Sequence, residues 1–286
     1  MSSSIKDLLE STISHIPKNS QYSASQKDLK YCLANIIGKK KEFLITNPEY
    51  ILSISEEKVF LKSVKLLSEG MPLAYVIGNQ EFYGYKYSVN KHVLIPRPET
   101  EIIIPKILQY GDSVFKKKNN IMLIDAGSGS GCIGLTIAGE RPSWKILLTE
   151  KSLKAIDVLR ENSHKYKYKN CSIIASDWLK GLNKNIADII ISNPPYIEHG
   201  TSQIDNTVFK YEPHSSLFSS DRGLKDIKTL IFESKSALVR GGFLFMENGL
   251  GQSEDIIRNL KENYYEDIDI ILDYNNIKRF TVSRSS

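Results

Sequence analysis

The chain has 286 residues, of which 41% are hydrophobic and 25% are charged, and its formal net charge is +5. This length and composition exclude a disordered chain and are sufficient for the buried cores of two domains. The basic residues are spread along the sequence, so the charge is only a weak indication of nucleic-acid binding.

The first 70 or so residues are predicted to be helical. Their apolar side chains recur at spacings of three and four, which is typical of one face of an α-helix. Two such helices are predicted, one from Ile5, Leu8, Leu9, Ile13 and Ile16 and the other from Leu29, Cys32, Leu33, Ile36 and Ile37. A third is predicted to run from Ser55, as its N-cap, to Gly70. Residues 1–72 are therefore predicted to form an N-terminal helical domain.

Residues 73–96 have a different composition. They are rich in tyrosine and β-branched residues and are interrupted by Gly78, Gly84 and the pair Asn90-Lys91. This pattern predicts one or two β-hairpins rather than a helix. We interpret the segment as a β-hairpin connector between two domains.

From about residue 120, short apolar segments alternate with amphipathic ones. Strands are predicted at IMLID, KILLTE, CSIIAS, ADIIIS, FLFME and IDIIL, with helices between them. This alternation predicts an α/β fold, in which helices cover both faces of a parallel sheet. Ligands of such sheets bind beyond the carboxyl ends of the strands, so the residues that follow each strand are candidates for a site.

The first of these strands is followed by DAGSGSG, residues 125–131, and then by a helix. Gly127, Gly129 and Gly131 permit a tight turn and a close approach of the backbone to a ligand. The loop has no Walker lysine, which counts against a nucleoside triphosphate site. A plain glycine turn is the alternative. With its leading Asp125, however, the GxGxG loop resembles the S-adenosylmethionine site of class I methyltransferases.

Polar residues also follow the next two strands. Glu150 ends the second strand, where an acidic side chain can accept both hydroxyl groups of a ribose. Asp177 and Trp178 follow the third strand, where an indole can stack on adenine while a carboxylate accepts its amino group. The alternatives are a surface acid at position 150 and a core indole at position 178. We assign the other tryptophan, Trp144, to packing.

The string NPPY, Asn193 to Tyr196, follows the fourth strand and so faces the same edge as the glycine loop. A planar amide or adenine amino group is a poor nucleophile and must be aimed at its electrophile. The side-chain oxygen of Asn193 and the carbonyl of Pro194 can each accept one of its N–H groups. The prolines remove backbone donors, and Tyr196 offers a flat wall for the substrate group.

Several further segments decide between an amide and an adenine substrate. Together with the glycine loop and NPPY, the segments GNQEFYGYKYSVNKHVLIPRPETE, SDW, YEPHSSLF and GGFLFMENG resemble the bacterial peptide chain release factor glutamine methyltransferases. The resemblance is dense over residues 70–250 and loose before them. It implies a Rossmann-like seven-stranded class I methyltransferase sheet over residues 97–286, preceded by the helical domain and the connector.

The resemblance also implies a function. The chain would transfer a methyl group from S-adenosylmethionine to the glutamine amide in the GGQ loop of class one release factors, leaving S-adenosylhomocysteine. Release factors would be its partners, docked by residues 1–72, and the loop Ile95–Glu101 would border the site. The implied catalytic residues are Asn193, Pro194 and Tyr196, and Pro195 joins them in holding the substrate. The implied cofactor residues are Asp125, Gly127, Ser128, Gly129, Ser130, Gly131, Glu150, Asp177, Trp178 and Asn193.

Three other functions are considered. A glutamine of a ribosomal protein is the nearest alternative substrate. An adenine of DNA or RNA is the second, although it would favour a more basic and aromatic recognition domain than the one found here. A cofactor-binding module without turnover is the third, and the intact Asn193 and glycine loop argue against it.

The remaining features predict a cytoplasmic protein without a bound metal or a membrane span. A monomer without a stable nucleic-acid partner is expected. Cys32, Cys132 and Cys171 lie far apart and have no CxxC spacing. No secretory pattern opens the sequence, and no apolar run approaches the roughly 18 residues of a membrane span. The lysine runs 39–41 and 116–118 are interpreted as solvated loops.

Overall fold

The structure, a computed structural model, describes residues 3–15, 25–114, 120–202 and 204–286. The predicted helix-face residue Ile16 and the lysine run 116–118 lie outside the described residues. Within the described ranges, no helix combines the length and the apolar character that crossing a membrane would require. The chain divides into two compact units, one formed by residues 1–79 and 205–211 and the other by residues 80–204 and 212–286.

The first unit is helical. Leu8, Leu29 and Leu33 from the predicted apolar faces share one buried cluster with Phe60. Its first five helices are α1 (Ile5–His15), α2 (Gln26–Ile36), α3 (Lys41–Thr46), α4 (Ile54–Ser68) and α5 (Leu73–Ile77).

Two local predictions in this region are wrong. The N-cap of α4 is Ser53 rather than Ser55, because Ser53 and Glu56 form a capping box, with the Ser53 N–H donating to the Glu56 carboxylate at 2.7 Å. Residues 73–77 form the helix α5 instead of part of a hairpin. Pro72 precedes this turn of helix and Gly78 ends it at φ 73°, and these end signals outweigh the β propensity of its tyrosine and valine.

The predicted hairpin follows α5. It pairs β1 (Asn79–Phe82) with β2 (Tyr85–Ser88). Its two turn residues, Tyr83 and Gly84, both have positive φ, which is the backbone geometry of a tight two-residue hairpin.

The rest of the chain carries the alternating elements. A 3₁₀ turn at Pro98–Ile102 leads into α6 (Ile103–Val114), and the following elements, in chain order, are β3 (Met122–Ala126), α7 (Cys132–Glu140), β4 (Lys145–Glu150), α8 (Leu153–Tyr166), β5 (Cys171–Ala175), β6 (Ala187–Ser192), β7 (Ile197–Glu198), α9 (Asn206–Tyr211), a 3₁₀ turn (His214–Ser216), β8 (Phe218–Ser219), α10 (Ser220–Gly223), α11 (Lys225–Ala237), β9 (Leu238–Glu247), α12 (Ser253–Glu262), β10 (Tyr265–Leu272) and β11 (Lys278–Ser285).

The predicted seven-stranded sheet is confirmed, with the order β10-β11-β9-β6-β3-β4-β5. The central pairs from β9 to β5 are parallel. The expectation of a parallel sheet fails at β11, which is antiparallel to both of its neighbours. Only five residues join β10 to β11, and a connection of this length can only reverse the direction of the chain.

Helices cover both faces of the sheet, as predicted. Along β6 all six side chains are buried. Ile189 and Ile191 pack on the side of α6 and α7, whereas Ala187 and Ile190 pack on the side of α11 and α12. Trp144 is buried on the first of these sides, which confirms its assignment to packing. The sheet therefore holds the end of β6 rigidly in its centre.

In sequence, the helix α9 lies between two segments of the second unit, but it is part of the first unit. Within the first unit, the Tyr211 hydroxyl donates to the carbonyl oxygen of Glu69 at 2.7 Å, and the Lys210 ammonium donates to the same oxygen at 3.2 Å. The first unit is therefore completed by a segment that follows residues 1–79 only after a long interval in sequence.

Candidate active site

A cavity of about 420 Å³ lies at the carboxyl ends of β3, β4 and β6. Its volume falls in the range of roughly 300–1,000 Å³ that is usual for small-molecule sites. The predicted residues Gly131, Pro194 and Tyr196 are not among the residues that line it. The wall itself contains the other predicted site residues, Asp125, Gly127, Ser128, Gly129, Ser130, Glu150, Asp177, Trp178, Asn193 and Pro195.

The glycine loop joins β3 to α7 with three residues at positive φ, 74° at Gly127, 55° at Gly129 and 82° at Gly131. A Cβ atom at Gly127 would lie 2.6 Å from the ring of Trp178, and one at Gly131 would lie 2.3 Å from Leu159. Both positions therefore require glycine for space as well as for backbone conformation. Gly131 shapes the turn from behind, while Gly127 faces the cavity.

Asp125 fixes the start of this loop. Its side chain is only 1% exposed and accepts the N–H of Gly134 in α7 at 2.9 Å. Burial, with a smaller contribution from the nearby charge of Glu150, raises the pKa of Asp125 to about 7. The carboxyl group thus ties β3 to the helix that follows the loop.

Glu150, the last residue of β4, reaches across to the glycine loop. One carboxylate oxygen accepts the N–H of Gly129 at 3.0 Å and the other accepts the N–H of Ser152 at 2.8 Å. A carboxylate has about four lone-pair positions, so both oxygens can still accept hydrogen bonds from a ligand in the cavity. This arrangement suits two neighbouring hydroxyl groups.

Asp177 and Trp178, which follow β5, also line the cavity. The Asp177 carboxylate is paired with Lys151 at 3.1 Å and with Lys180 at 2.5 Å. Trp178 has a φ of 56°, a left-handed conformation that is uncommon for a residue with a bulky side chain. This backbone places the indole against Gly127 at the edge of the cavity.

The NPPY residues leave β6 directly into the site. Asn193 is half-buried, borders the cavity and donates from its side-chain nitrogen to the Thr100 hydroxyl at 3.5 Å. Pro194 and Pro195 are buried, and of the two only Pro195 reaches the wall. The hydroxyl of Tyr196 donates to Glu247 at 3.2 Å.

Glu247 and Thr100 are site residues that sequence reasoning missed. Glu247 ends β9, is 1% exposed, and accepts the Thr100 hydroxyl at 2.7 Å in addition to that of Tyr196. Its burial raises the pKa of Glu247 to about 7. The available signal was an acidic residue closing the apolar strand FLFME at the ligand-binding edge of the sheet.

The loop Ile95–Glu101, expected to border the site, contributes Pro96, Arg97 and Thr100 to the cavity wall. Arg97 is paired at 2.5 Å with Glu212, which is 3% exposed and also accepts the N–H of Ile95 at 3.1 Å. One buried carboxylate therefore fixes both the backbone and the guanidinium group of this loop.

The sequence is similar to known proteins over most of its length. The family described as Methyltransferase small domain matches residues 112–211, and that described as PrmC N-terminal domain matches residues 12–78. A release factor glutamine methyltransferase of Coxiella burnetii is 34% identical to this chain, covering 90% of it and 91% of that protein. The chain belongs to the release factor glutamine methyltransferase family. It is therefore a methyltransferase, and its family membership implies the use of S-adenosylmethionine.

Other release factor glutamine methyltransferases agree. The relative from Escherichia coli is 30% identical, with 93% of this chain and 95% of that protein covered. Among solved structures, the hMettl16 catalytic domain has a TM-score of 0.56 at 14% identity, covering 94% of this chain and 96% of that one. This structural likeness confirms the class I methyltransferase fold of this family member.

Proposed function

We propose that the protein transfers a methyl group from S-adenosylmethionine to the side-chain nitrogen of the GGQ glutamine in class one release factors, acting as a cytoplasmic monomer. The observation that carries this proposal is the position of Asn193, which borders the same cavity as the glycine loop, Glu150 and Trp178. The names of the relatives from Coxiella burnetii and Escherichia coli support the substrate class.

In this proposal the cofactor occupies the 420 Å³ cavity. The loop 125–131 would hold the methionine end, Glu150 would accept the ribose hydroxyls, and Trp178 would pack against the adenine. Two features of the structure fit this assignment. The Glu150 carboxylate keeps acceptor positions beyond its two backbone partners. Gly127 has no side chain, which lets the indole of Trp178 pack closely against the loop in the cavity wall. Asp177, held by two lysines, lies in the same part of the wall and is assigned to the adenine amino group.

When bound, S-adenosylmethionine supplies an electrophilic sulfonium methyl group. The chain's contribution is to aim the glutamine nitrogen at it. The side-chain oxygen of Asn193 and the carbonyl of Pro194 each accept one N–H, which directs the nitrogen lone pair toward the methyl carbon. Pro195 borders the cavity, and the ring of Tyr196 is assigned as a flat wall for the planar amide. Transfer would form the nitrogen–carbon bond and break the carbon–sulfur bond, whose electron pair would stay on sulfur, and the surplus amide proton would leave to water.

A direct assay tests this function. Labelled cofactor is incubated separately with a release factor, a ribosomal protein fraction and DNA, and the methyl group is located by mass spectrometry. We expect one methyl group on the GGQ glutamine of the release factor. A label on a ribosomal-protein glutamine or on adenine would replace the proposed substrate with one of the alternatives, and no label on any acceptor would contradict the proposal as a whole.

The helical unit is proposed to dock the whole release factor. Its exposed apolar residues support this role, since Ile51 is 58% exposed, Ile54 is 65% exposed and Leu61 is 49% exposed. Ile54 and Leu61 are seven residues apart in α4 and therefore share one face of the helix.

Replacing Ile54 by aspartate is expected to raise KM for whole release factor about tenfold, the effect of losing one well-packed interface contact. The substitution should leave kcat unchanged, together with KM for a short peptide that carries the GGQ loop. Phe232→Asp is a matched control, because Phe232 is 72% exposed but lies in α11. An equal rise in KM for the short peptide, or no rise for the whole factor, would contradict docking by this face.

A further inference from the structure

Two buried side chains next to the NPPY residues have no part in the function proposed so far. Glu247 receives two hydroxyl donors, from Thr100 and Tyr196, on its two carboxylate oxygens. Ser192 is paired in register with Met246, so Glu247 ends β9 directly beside the point where Asn193 leaves β6. Thr100 comes from a third segment, the 3₁₀ turn before α6. The carboxylate thus joins three segments that meet at the cavity.

The hydrogen bonds of Thr100 determine which end of the Asn193 side-chain amide faces it. A threonine hydroxyl has one hydrogen, and toward the ionised carboxylate of Glu247, 2.7 Å away, the hydroxyl can only donate that hydrogen. Toward Asn193, 3.5 Å away, the same hydroxyl can then only accept. The group of Asn193 that faces it must be the donating NH₂ end of the amide.

The orientation of Asn193 matters because its two ends have opposite hydrogen-bonding character. With the NH₂ end held by Thr100, the amide oxygen is left to accept the N–H of a bound glutamine. An inverted Asn193 would turn its NH₂ group toward the N–H of the substrate glutamine. Two donors would then face each other, and the substrate amide would lose its alignment. The two orientations occupy nearly the same volume, so packing alone cannot select between them.

We propose that Thr100 and Glu247 are positioning residues that present the side-chain oxygen of Asn193 to the substrate amide. This inference rests on the proposed transfer to an amide nitrogen. In its ionised form Glu247 only accepts hydrogen bonds and so sets the direction of the Thr100 hydroxyl, and that hydroxyl sets the orientation of Asn193. The second oxygen of Glu247 holds the hydroxyl of Tyr196 and so fixes the ring beside the same substrate group.

The principal test is Thr100→Val, which keeps the shape of the side chain and removes the acceptor for Asn193. We expect kcat for release factor methylation to fall about 10²-fold, the scale of effect produced by misplacing a reacting group by about 1 Å. The affinity for S-adenosylhomocysteine, measured by calorimetry, should remain unchanged. The affinity of the loaded enzyme for a GGQ peptide should fall. Thr100→Ser, which keeps the hydroxyl, should restore most of the lost rate.

A matched control separates this role from a general loss of stability. Thr136→Val removes a buried hydroxyl that bonds to the Tyr87 hydroxyl at 2.8 Å, outside the cavity wall. It should leave kcat unchanged.

Glu247→Gln is a second route to the same defect. The NH₂ group of the new glutamine can donate to the Thr100 hydroxyl, which leaves the hydrogen of that hydroxyl free to point toward Asn193. The double variant Thr100→Val with Glu247→Gln should lose no more rate than the worse single variant.

The outcomes separate this inference from the function on which it rests. Provided that the wild type methylates the release factor, three results would overturn the positioning role and leave the proposed function intact. They are an unchanged kcat in Thr100→Val, a loss of cofactor affinity in that variant as large as its loss of kcat, and additive losses of kcat in the double variant. Absence of wild-type methylation of the release factor overturns both. Thermal unfolding of every variant confirms that the folded protein is being compared.

Discussion

Alanine at position 193 is expected to lower kcat for release factor methylation by about 10²- to 10³-fold. This is the loss that follows removal of one preorganised hydrogen-bonding group at a reacting centre. Asn193 borders the cavity at the end of β6, where the sheet holds it in place, and alanine offers no oxygen to accept the glutamine N–H. Initial rates at saturating cofactor and release factor measure the effect.

The same substitution should change the affinity for S-adenosylhomocysteine by little, because the glycine loop, Glu150 and Trp178 are untouched. Asn120→Ala is a suitable control, since Asn120 is exposed and lies before β3, at the opposite end of that strand from the cavity. Turnover by the Asn193 variant at the wild-type rate would remove the assigned role. A large loss of cofactor affinity would instead make Asn193 mainly a cofactor residue.

Alanine at position 127 is expected to weaken cofactor binding by about two orders of magnitude. The added Cβ atom would stand 2.6 Å from the ring of Trp178, so the indole must move away from the place assigned to adenine. The positive φ of 74° adds roughly 1–2 kcal/mol of strain for any residue with a side chain. Together these effects disturb both ends of the proposed cofactor site, and calorimetric titration with S-adenosylhomocysteine measures the loss.

Gly38→Ala isolates the strain from the collision. Gly38 also has a positive φ, of 66°, but an added Cβ atom there would meet nothing within 4 Å. The two variants should lose similar amounts of stability from strain, while only the substitution at 127 loses cofactor affinity. Wild-type affinity in the Gly127 variant would show that the contact between the loop and the indole does not shape the cofactor site.

Much of the second unit could be predicted from sequence because its elements carry strong local signals. The bounds of α7, β4 and β6 match the predicted segments, since each is a continuous apolar run with a clear end signal. The glycine loop and NPPY were placed at one edge by the topology of parallel strands alone. Gly127, Gly129, Asn193 and Pro195 do line a common cavity, whereas Gly131, Pro194 and Tyr196 are not part of its lining.

The remaining features depend on contacts between distant segments. Thr100 and Glu247 are 147 residues apart, and no sequence motif contains both of them or links one to the other. The antiparallel strand β11 has a largely polar sequence, KRFTVSRS, and is defined by its pairing with β9 and β10 rather than by an apolar run. The pairing of Asp177 with Lys151 and Lys180 likewise depends on where the chain turns after β5.

The assignment of α9 to the helical unit has a consequence for protein engineering. The polypeptide passes between its two units three times, near residues 79, 204 and 211, instead of once. A chimera that receives a foreign recognition module by a single splice near residue 79 would leave residues 205–211 without the partners they were selected to meet. Retargeting this scaffold to another protein therefore requires two coordinated grafts, with the short internal helix exchanged along with the amino-terminal segment.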